Sequence, residues 1–263
     1  MKNSSTHVEE TDMKHIGKGH VLVLGGSGGI GSDIVRAFVQ SGTDAVSFTY
    51  GRNKTAADEL AAELRAKNVK VHYAALEMTD VAATNAFLEE AVEVLGREIS
   101  IAVNSVGISP NVPLMEQTAE QHEQVFKVNT VGSFFAARTI AARMKEKGVK
   151  GSIVLITSTN GINSQSQISA HYDGSKAAQS HQMRILAEFF APDGIRINGV
   201  APGWVSTALN NTLPPEERAK ESARIWSGRW ATPAEIANVV LFIAGHGGSY
   251  IIGQDIMVDG GYR

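Results

Sequence analysis

The chain contains no cysteine, which excludes disulfide staples and thiolate catalysis. It has no surplus of positive charge either. The formal net charge is −3 over 263 residues, without a basic stripe, so neither nucleic acid nor an anionic membrane surface is an expected partner. No uninterrupted apolar run is long enough to span a bilayer, and Met1 to Lys18 lacks the apolar centre of a secretion signal. Internal repeats, low-complexity tracts and dividing linkers are missing as well. His122, His181 and His246 stand at no metal-ligand spacing, so no catalytic metal is expected. These absences leave a chain expected in the cytoplasm, with a polar tail over residues 1–18 and one domain over residues 19–263.

What is there begins with a short apolar strand, His20 to Leu24, running into Gly25-Gly26-Ser27-Gly28-Gly29-Ile30-Gly31. A helical pattern follows through Ile34, Val35, Phe38 and Val39. Glycines let a backbone turn tightly and approach a ligand, while a helix N-terminus offers free N–H groups and positive dipole to phosphate. Strand and helix patterns then alternate: Ala45 to Thr49, Thr55 to Lys67, Lys70 to Ala74, Val81 to Leu95, Ser100 to Asn104. A long helix is expected from about Thr118 to Lys147, then a strand from Ile153 to Thr157 and a helix from Tyr172 to Phe190. Strands at Arg196 to Ala201 and Gln254 to Val258 bracket a helix, Pro233 to Ala244, whose start is marked by Thr232-Pro233-Ala234-Glu235. Such alternation predicts parallel strands joined by right-handed helical crossovers. The polar, proline-interrupted segment 207–228 reads as a flap over a pocket.

Tyr172 and Lys176 are four apart at the start of a helix and therefore share a face, and Ser158 ends the preceding strand. A phenol, an ammonium and a hydroxyl so placed can move a proton to or from an oxygen. Free tyrosine titrates near ~10, and the positive charge of Lys176 is expected to lower that value toward the working range. His171, although adjacent, points to another helix face and reads as structural or solvent-facing. Phe134, Phe135, Phe189 and Phe190 read as core or subunit contacts, and Trp204 and Trp226 as flap residues able to line a pocket.

With the glycine turn, Asn129, Ser158, Tyr172 and Lys176 in hand, the sequence resembles the short-chain dehydrogenase/reductase family over roughly Gly19 to Tyr262. The resemblance implies a single-domain α/β Rossmann fold, a doubly wound parallel seven-stranded sheet with helices on both faces. It implies Tyr172 as general acid or base and Ser158 as the group that polarises a carbonyl. Lys176 would tune the tyrosine and hold the nicotinamide ribose, and Asn129 would position a water that links the lysine to solvent. Cofactor contacts are implied at Gly25, Ser27, Gly29, Ile30 and Gly31, at Asn104 and Gly107 after the fourth strand, and at Pro202, Gly203, Val205 and Thr207. Glu77, where the family has an aspartate for the adenine amino group, and Met78 belong to the same set, as do Tyr172 and Lys176.

The expected function is hydride transfer between nicotinamide and a ketone or secondary alcohol. Alternatives are reduction of 3-oxoacyl groups on acyl carrier protein, although Val149 and Asp193 fall near the places where such reductases carry basic residues, with Lys147, Lys150 and Arg196 close by, and a non-catalytic nucleotide-binding regulator. The small-molecule reading is preferred, and the long helices imply a homotetramer. At the end of the second strand, where an acidic side chain would accept the 2′-hydroxyl of NAD, stands Tyr50. Arg52 lies two residues on and Lys54 close by. NADP(H) is therefore expected over NAD(H).

Overall fold

The first strand, β1 (His20–Leu24), is buried at every residue, because its two faces meet different helices. Val21 and Val23 pack with Ile34, Phe38, Leu60 and Val240 on one side of the sheet. Leu22 and Leu24, pointing the other way with the period of two of a strand, pack with Phe87, Ile140, Met183 and Leu186 on the other. Two cores flanking one sheet explain why the central strands are uninterrupted apolar runs. Burial of a side chain such as Phe38 stabilises by about 1.5–3 kcal/mol.

This computed structural model describes residues 19–207, 210 and 213–262. The expected N-terminal tail lies outside them, as do residues 208, 209, 211 and 212 of the expected flap. In chain order the elements are β1, α1 (Gly29–Gln40), β2 (Ala45–Tyr50), α2 (Lys54–Ala66), β3 (Lys70–Ala75), α3 (Val81–Leu95) and β4 (Ile99–Asn104). The second half continues with α4 (Ala119–Phe126), α5 (Ser133–Glu146), β5 (Ser152–Ile156), α6 (Ala170–Phe190) and β6 (Arg196–Pro202), and ends with α7 (Pro215–Ala223), α8 (Pro233–Ala244) and β7 (Asp255–Val258). All strand pairs are parallel, in the order β3-β2-β1-β4-β5-β6-β7. The order reverses between β1 and β4, which opens a crevice at the carboxyl ends of those two strands.

Helix starts follow their side chains. Asn53 accepts from Ala56 N at 3.0 Å and Asp80 from Ala83 N at 2.9 Å. Thr118 with Gln121, and Thr232 with Glu235, close reciprocal capping boxes. Four helices start without a side-chain cap, α1, α5, α6 and α7; in α1 the cap residue is Gly28 and no acid stands in the first turn. Gly29, Ile30 and Gly31 of its first turn line the crevice.

The expected single helix from Thr118 to Lys147 is interrupted. Lys127–Gly132 forms a π-helical turn between α4 and α5, and apolar periodicity does not reveal this because both flanking helices are regular. Asn129 sits in that turn, fully buried.

Candidate active site

A cavity of about 940 Å³ opens at the carboxyl ends of the strands. Ser158, Tyr172 and Lys176 line it, together with Gly29, Ile30 and Gly31 of the glycine turn. Gly107, Pro202, Gly203, Val205 and Thr207 complete the expected residues on its walls. The remaining expected residues stand behind or away from it. Asn129 clamps the strand-end loop from behind: its Oδ1 accepts from Ile108 N at 2.8 Å and its Nδ2 donates to Ile108 O at 2.9 Å. Asn104 is buried, accepting from Val106 N at 3.0 Å. Met78 is buried in the core, and exposed Glu77 accepts from the Thr79 hydroxyl at 3.0 Å. Ser27 and Gly25 belong to the turn, while Tyr50 and Arg52 lie at the end of β2 outside the cavity. Lys54, close to the same place, is paired with Asp58 at 2.8 Å.

The glycine turn fits a dinucleotide phosphate. Gly25 takes φ +74, and a Cβ on Gly31 would stand 2.2 Å from Gly25 O, so helix and turn touch backbone to backbone. Gly25 N donates to Thr49 Oγ1 and Ser105 N to Leu24 O, which ties the turn to β2 and to the β4 end. Leu24 thus contributes its carbonyl here while its side chain packs in the core.

Tyr172 is held at the cavity wall because Ser175, one turn on, donates to Tyr172 O at 2.7 Å and accepts from Asn129 Nδ2 at 3.0 Å. Burial pushes the phenol above its usual range; a hydrogen bond from Ser158 lowers it and the Asp173 carboxylate raises it. Burial also pushes the Lys176 ammonium down to about 7, with Asp255 opposing the shift. The expected lowering of Tyr172 by Lys176 is therefore corrected. Lys176 is buried and Tyr172 half-buried at the cavity wall, and loss of hydration acts on each more strongly than any charge nearby. Lys176 Nζ lies 5.7 Å from the tyrosine ring and gives two of its protons elsewhere, to Ile156 O at 2.8 Å and Gln179 Oε1 at 2.9 Å.

Several site residues escaped the sequence reading. Asp173 gathers the loop over the cavity, accepting from Asn160 Nδ2 at 2.7 Å, Ser166 N at 2.7 Å and Ser169 Oγ at 3.0 Å. Gln179 lies three residues beyond Lys176, a helical spacing that could have been noticed. On α7, Glu217, Lys220 and Glu221, followed by Arg224, turn one face to the cavity, again at helical spacing. Glu221 accepts from Trp204 Nε1 at 3.0 Å and from the Tyr262 hydroxyl. Trp204 lines the cavity and stacks on Trp230 at 5.0 Å, whereas Trp226 is 69% exposed and does not line it. His171 is fully buried against His122. Of the aromatic pair on α6, Phe190 is core and Phe189 is exposed.

The sequence model of one protein family, described as enoyl-(acyl carrier protein) reductase, matches residues 25–263. A sorbose reductase of Schizosaccharomyces pombe is 35% identical, over 92% of this chain and 94% of the relative. A galactitol 2-dehydrogenase (L-tagatose-forming) of Cereibacter sphaeroides is 37% identical, over 91% and 93%. The crystal structure of a dehydrogenase/reductase from Sinorhizobium meliloti 1021 superposes with a TM-score of 0.86 at 29% identity, covering 95% of this chain and 96% of that one. Likeness that runs the length of the sheet reflects a shared fold and not one shared motif, and the chain thus belongs to the short-chain dehydrogenase/reductase family, NAD(P)(H)-dependent oxidoreductases that act on CH–OH groups.

Proposed function

We propose that the protein reduces the carbonyl of a small polyhydroxylated ketone, with Tyr172 as the proton donor and NADPH as the preferred cofactor. The observation that carries this reading is the convergence of Ser158, Tyr172 and Lys176 on one wall of the cavity that the glycine turn also borders. When bound, the dinucleotide supplies the hydride. Ser158 Oγ donates to the substrate oxygen and orients the carbonyl. Tyr172, held protonated at neutral pH by burial, gives its proton to that oxygen as negative charge develops there. Lys176, when charged, stabilises the phenolate left behind. The N-terminus of α1 seats the pyrophosphate on its uncapped N–H groups.

The substrate class follows from the rest of the lining. Ser109, Asn111, Gln165 and Gln167 bring hydroxyl and amide groups to a cavity that Ile108, Ile168, Trp204 and Leu213 also line, a mixed surface able to hold both the hydroxyls and the carbon skeleton of a polyol. Relatives named for sorbose and galactitol support the same class. Of the three basic residues near the carrier-binding places, Lys150 is exposed and the other two are engaged, which weakens the carrier-protein reading. Arg196 donates inward to the carbonyl oxygens of Ile243, Ala244, Gly245 and Gly248, and Lys147 pairs with Glu146. An assay panel of ketoses, apolar ketones and a 3-oxoacyl thioester tests the proposal; higher kcat/KM on either of the last two would reject it.

Cofactor preference rests on Arg52, exposed beyond β2. Arg52→Ala should lower kcat/KM with NADPH by about tenfold, the value of one charge-assisted contact, and leave NADH unchanged. An equal effect on both cofactors would remove the basis for the preference.

Two separate apolar patches support a dihedral tetramer. Ile185 and Phe189 are exposed on α6, while Phe242, Tyr250 and Met257 are exposed near α8 and β7. Light scattering should give four protomers at micromolar concentration; a monomer would contradict the assembly.

A further inference from the structure

Lys176 is 3% exposed and Gln179 1%. A lysine ammonium only donates, so its 2.9 Å contact fixes the Gln179 amide with Oε1 toward Lys176. The other end, Nε2, then donates to Ser133 Oγ at 2.7 Å, and that oxygen also accepts from Asn104 Nδ2 at 2.9 Å. Ser133 and Asn104 are buried too. A continuous polar chain therefore runs from the Lys176 ammonium through Gln179 and Ser133 to Asn104, which accepts from Val106 N at the β4 end. Such a chain inside an apolar layer is costly unless every member is satisfied. Here each amide group has a partner.

We infer that Gln179 is a positioning residue that keeps the Lys176 ammonium charged and aimed at Tyr172 during carbonyl reduction, an inference that rests on the proposed proton-transfer roles of those two residues. Burial alone favours loss of the lysine proton, and two acceptors oppose it directly: Ile156 O, fixed by β5, and Gln179 Oε1. The titratable groups that face the ammonium are Tyr172 on its own helix and Asp255 from β7. Asp255 is already occupied, accepting from Thr157 Oγ1 at 2.6 Å and from the Ser180 hydroxyl. The π-helical turn and the β4 end present only neutral groups, Asn129 and Gly107, the latter with its Cβ position 3.5 Å from Nζ. Gln179 is thus the side chain whose removal takes a direct acceptor from the lysine.

The test is the pH profile of kcat/KM for ketone reduction. Gln179→Met fills similar volume without an acceptor, and its alkaline limb should move to lower pH by about one unit, the size of one lost hydrogen bond to a charged group. Gln179→Glu keeps an acceptor toward Lys176, and its limb should stay at or above the wild-type position. Should Gln179→Met fail to fold, Ser133→Ala, which frees the amide nitrogen, should move the limb the same way by a smaller amount. A purely structural role would lower Tm and scale kcat/KM equally at every pH. Limbs that coincide with wild type in all variants that fold would overturn the inference. Lys176→Met separates the two levels: if it keeps wild-type turnover, the proton-transfer reading fails, and if it is inactive while the Gln179 variants keep the wild-type limb, only the Gln179 inference fails.

Discussion

Tyr172→Phe should lower kcat for ketone reduction by about 10²–10⁴-fold, the usual contribution of general acid catalysis, while dinucleotide affinity stays near wild type. The substitution removes one oxygen and keeps the ring that packs in the cavity wall. Ser158 and Lys176 also stay, each held by bonds that do not involve the phenol: Ser158 Oγ accepts from Asn160 N, and Lys176 donates to Ile156 and Gln179. Orientation of the substrate therefore survives and proton donation does not. Steady-state kinetics beside a calorimetric titration of the cofactor would separate the two, and a variant that retains half its kcat would exclude Tyr172 as the proton donor.

A second large effect is expected far from the chemistry. Gly31→Ala should weaken dinucleotide binding by on the order of a hundredfold, about 2.7 kcal/mol, and lower Tm as well. The added Cβ would stand 2.2 Å from Gly25 O and 3.1 Å from Gly26 Cα. Neither is the end of a flexible side chain, so α1 must move away from the turn. That movement displaces the N–H groups proposed to seat the pyrophosphate. Gly51→Ala serves as control, since nothing lies within 4 Å of its Cβ position. If Gly31→Ala bound cofactor normally, the close contact between turn and helix would not matter for binding.

Much of this architecture is legible in the chain because local rules and the final fold agree. Central strands are apolar runs that stop at glycine or at a polar residue, as at Leu24 and Gly25, and helix starts carry recognisable caps, as at Thr232. Tyr172 and Lys176 are legible because a helix places residues four apart on one face. What escaped depends on contacts that sequence distance hides. Asp255 meets Thr157 across 98 positions, and Gln179 meets Ser133 across 46. The proton affinities escaped for a related reason. Charge proximity can be read from spacing, but the depth of burial that outweighs it emerges only when α6 is packed against the sheet. Arg196 shows the same limit from the other side: a basic residue that reads as available for a partner is spent on four internal carbonyls.

The π-helical turn at Lys127–Gly132 carries a consequence for insertions and deletions. A turn closed by i→i+5 bonds spreads one residue more than an α-turn over nearly the same rotation, so excising one residue here would let an ordinary α-turn join α4 to α5 with little change of phase. Ser133 would stay beneath Gln179, while the widened turn that holds Asn129 against Ile108 would be lost. A single-residue deletion at this place should therefore spare the packing of α4 and α5 and cost the anchor of the β4-end loop, and a homologue one residue shorter across this stretch must hold that loop without the seat of Asn129.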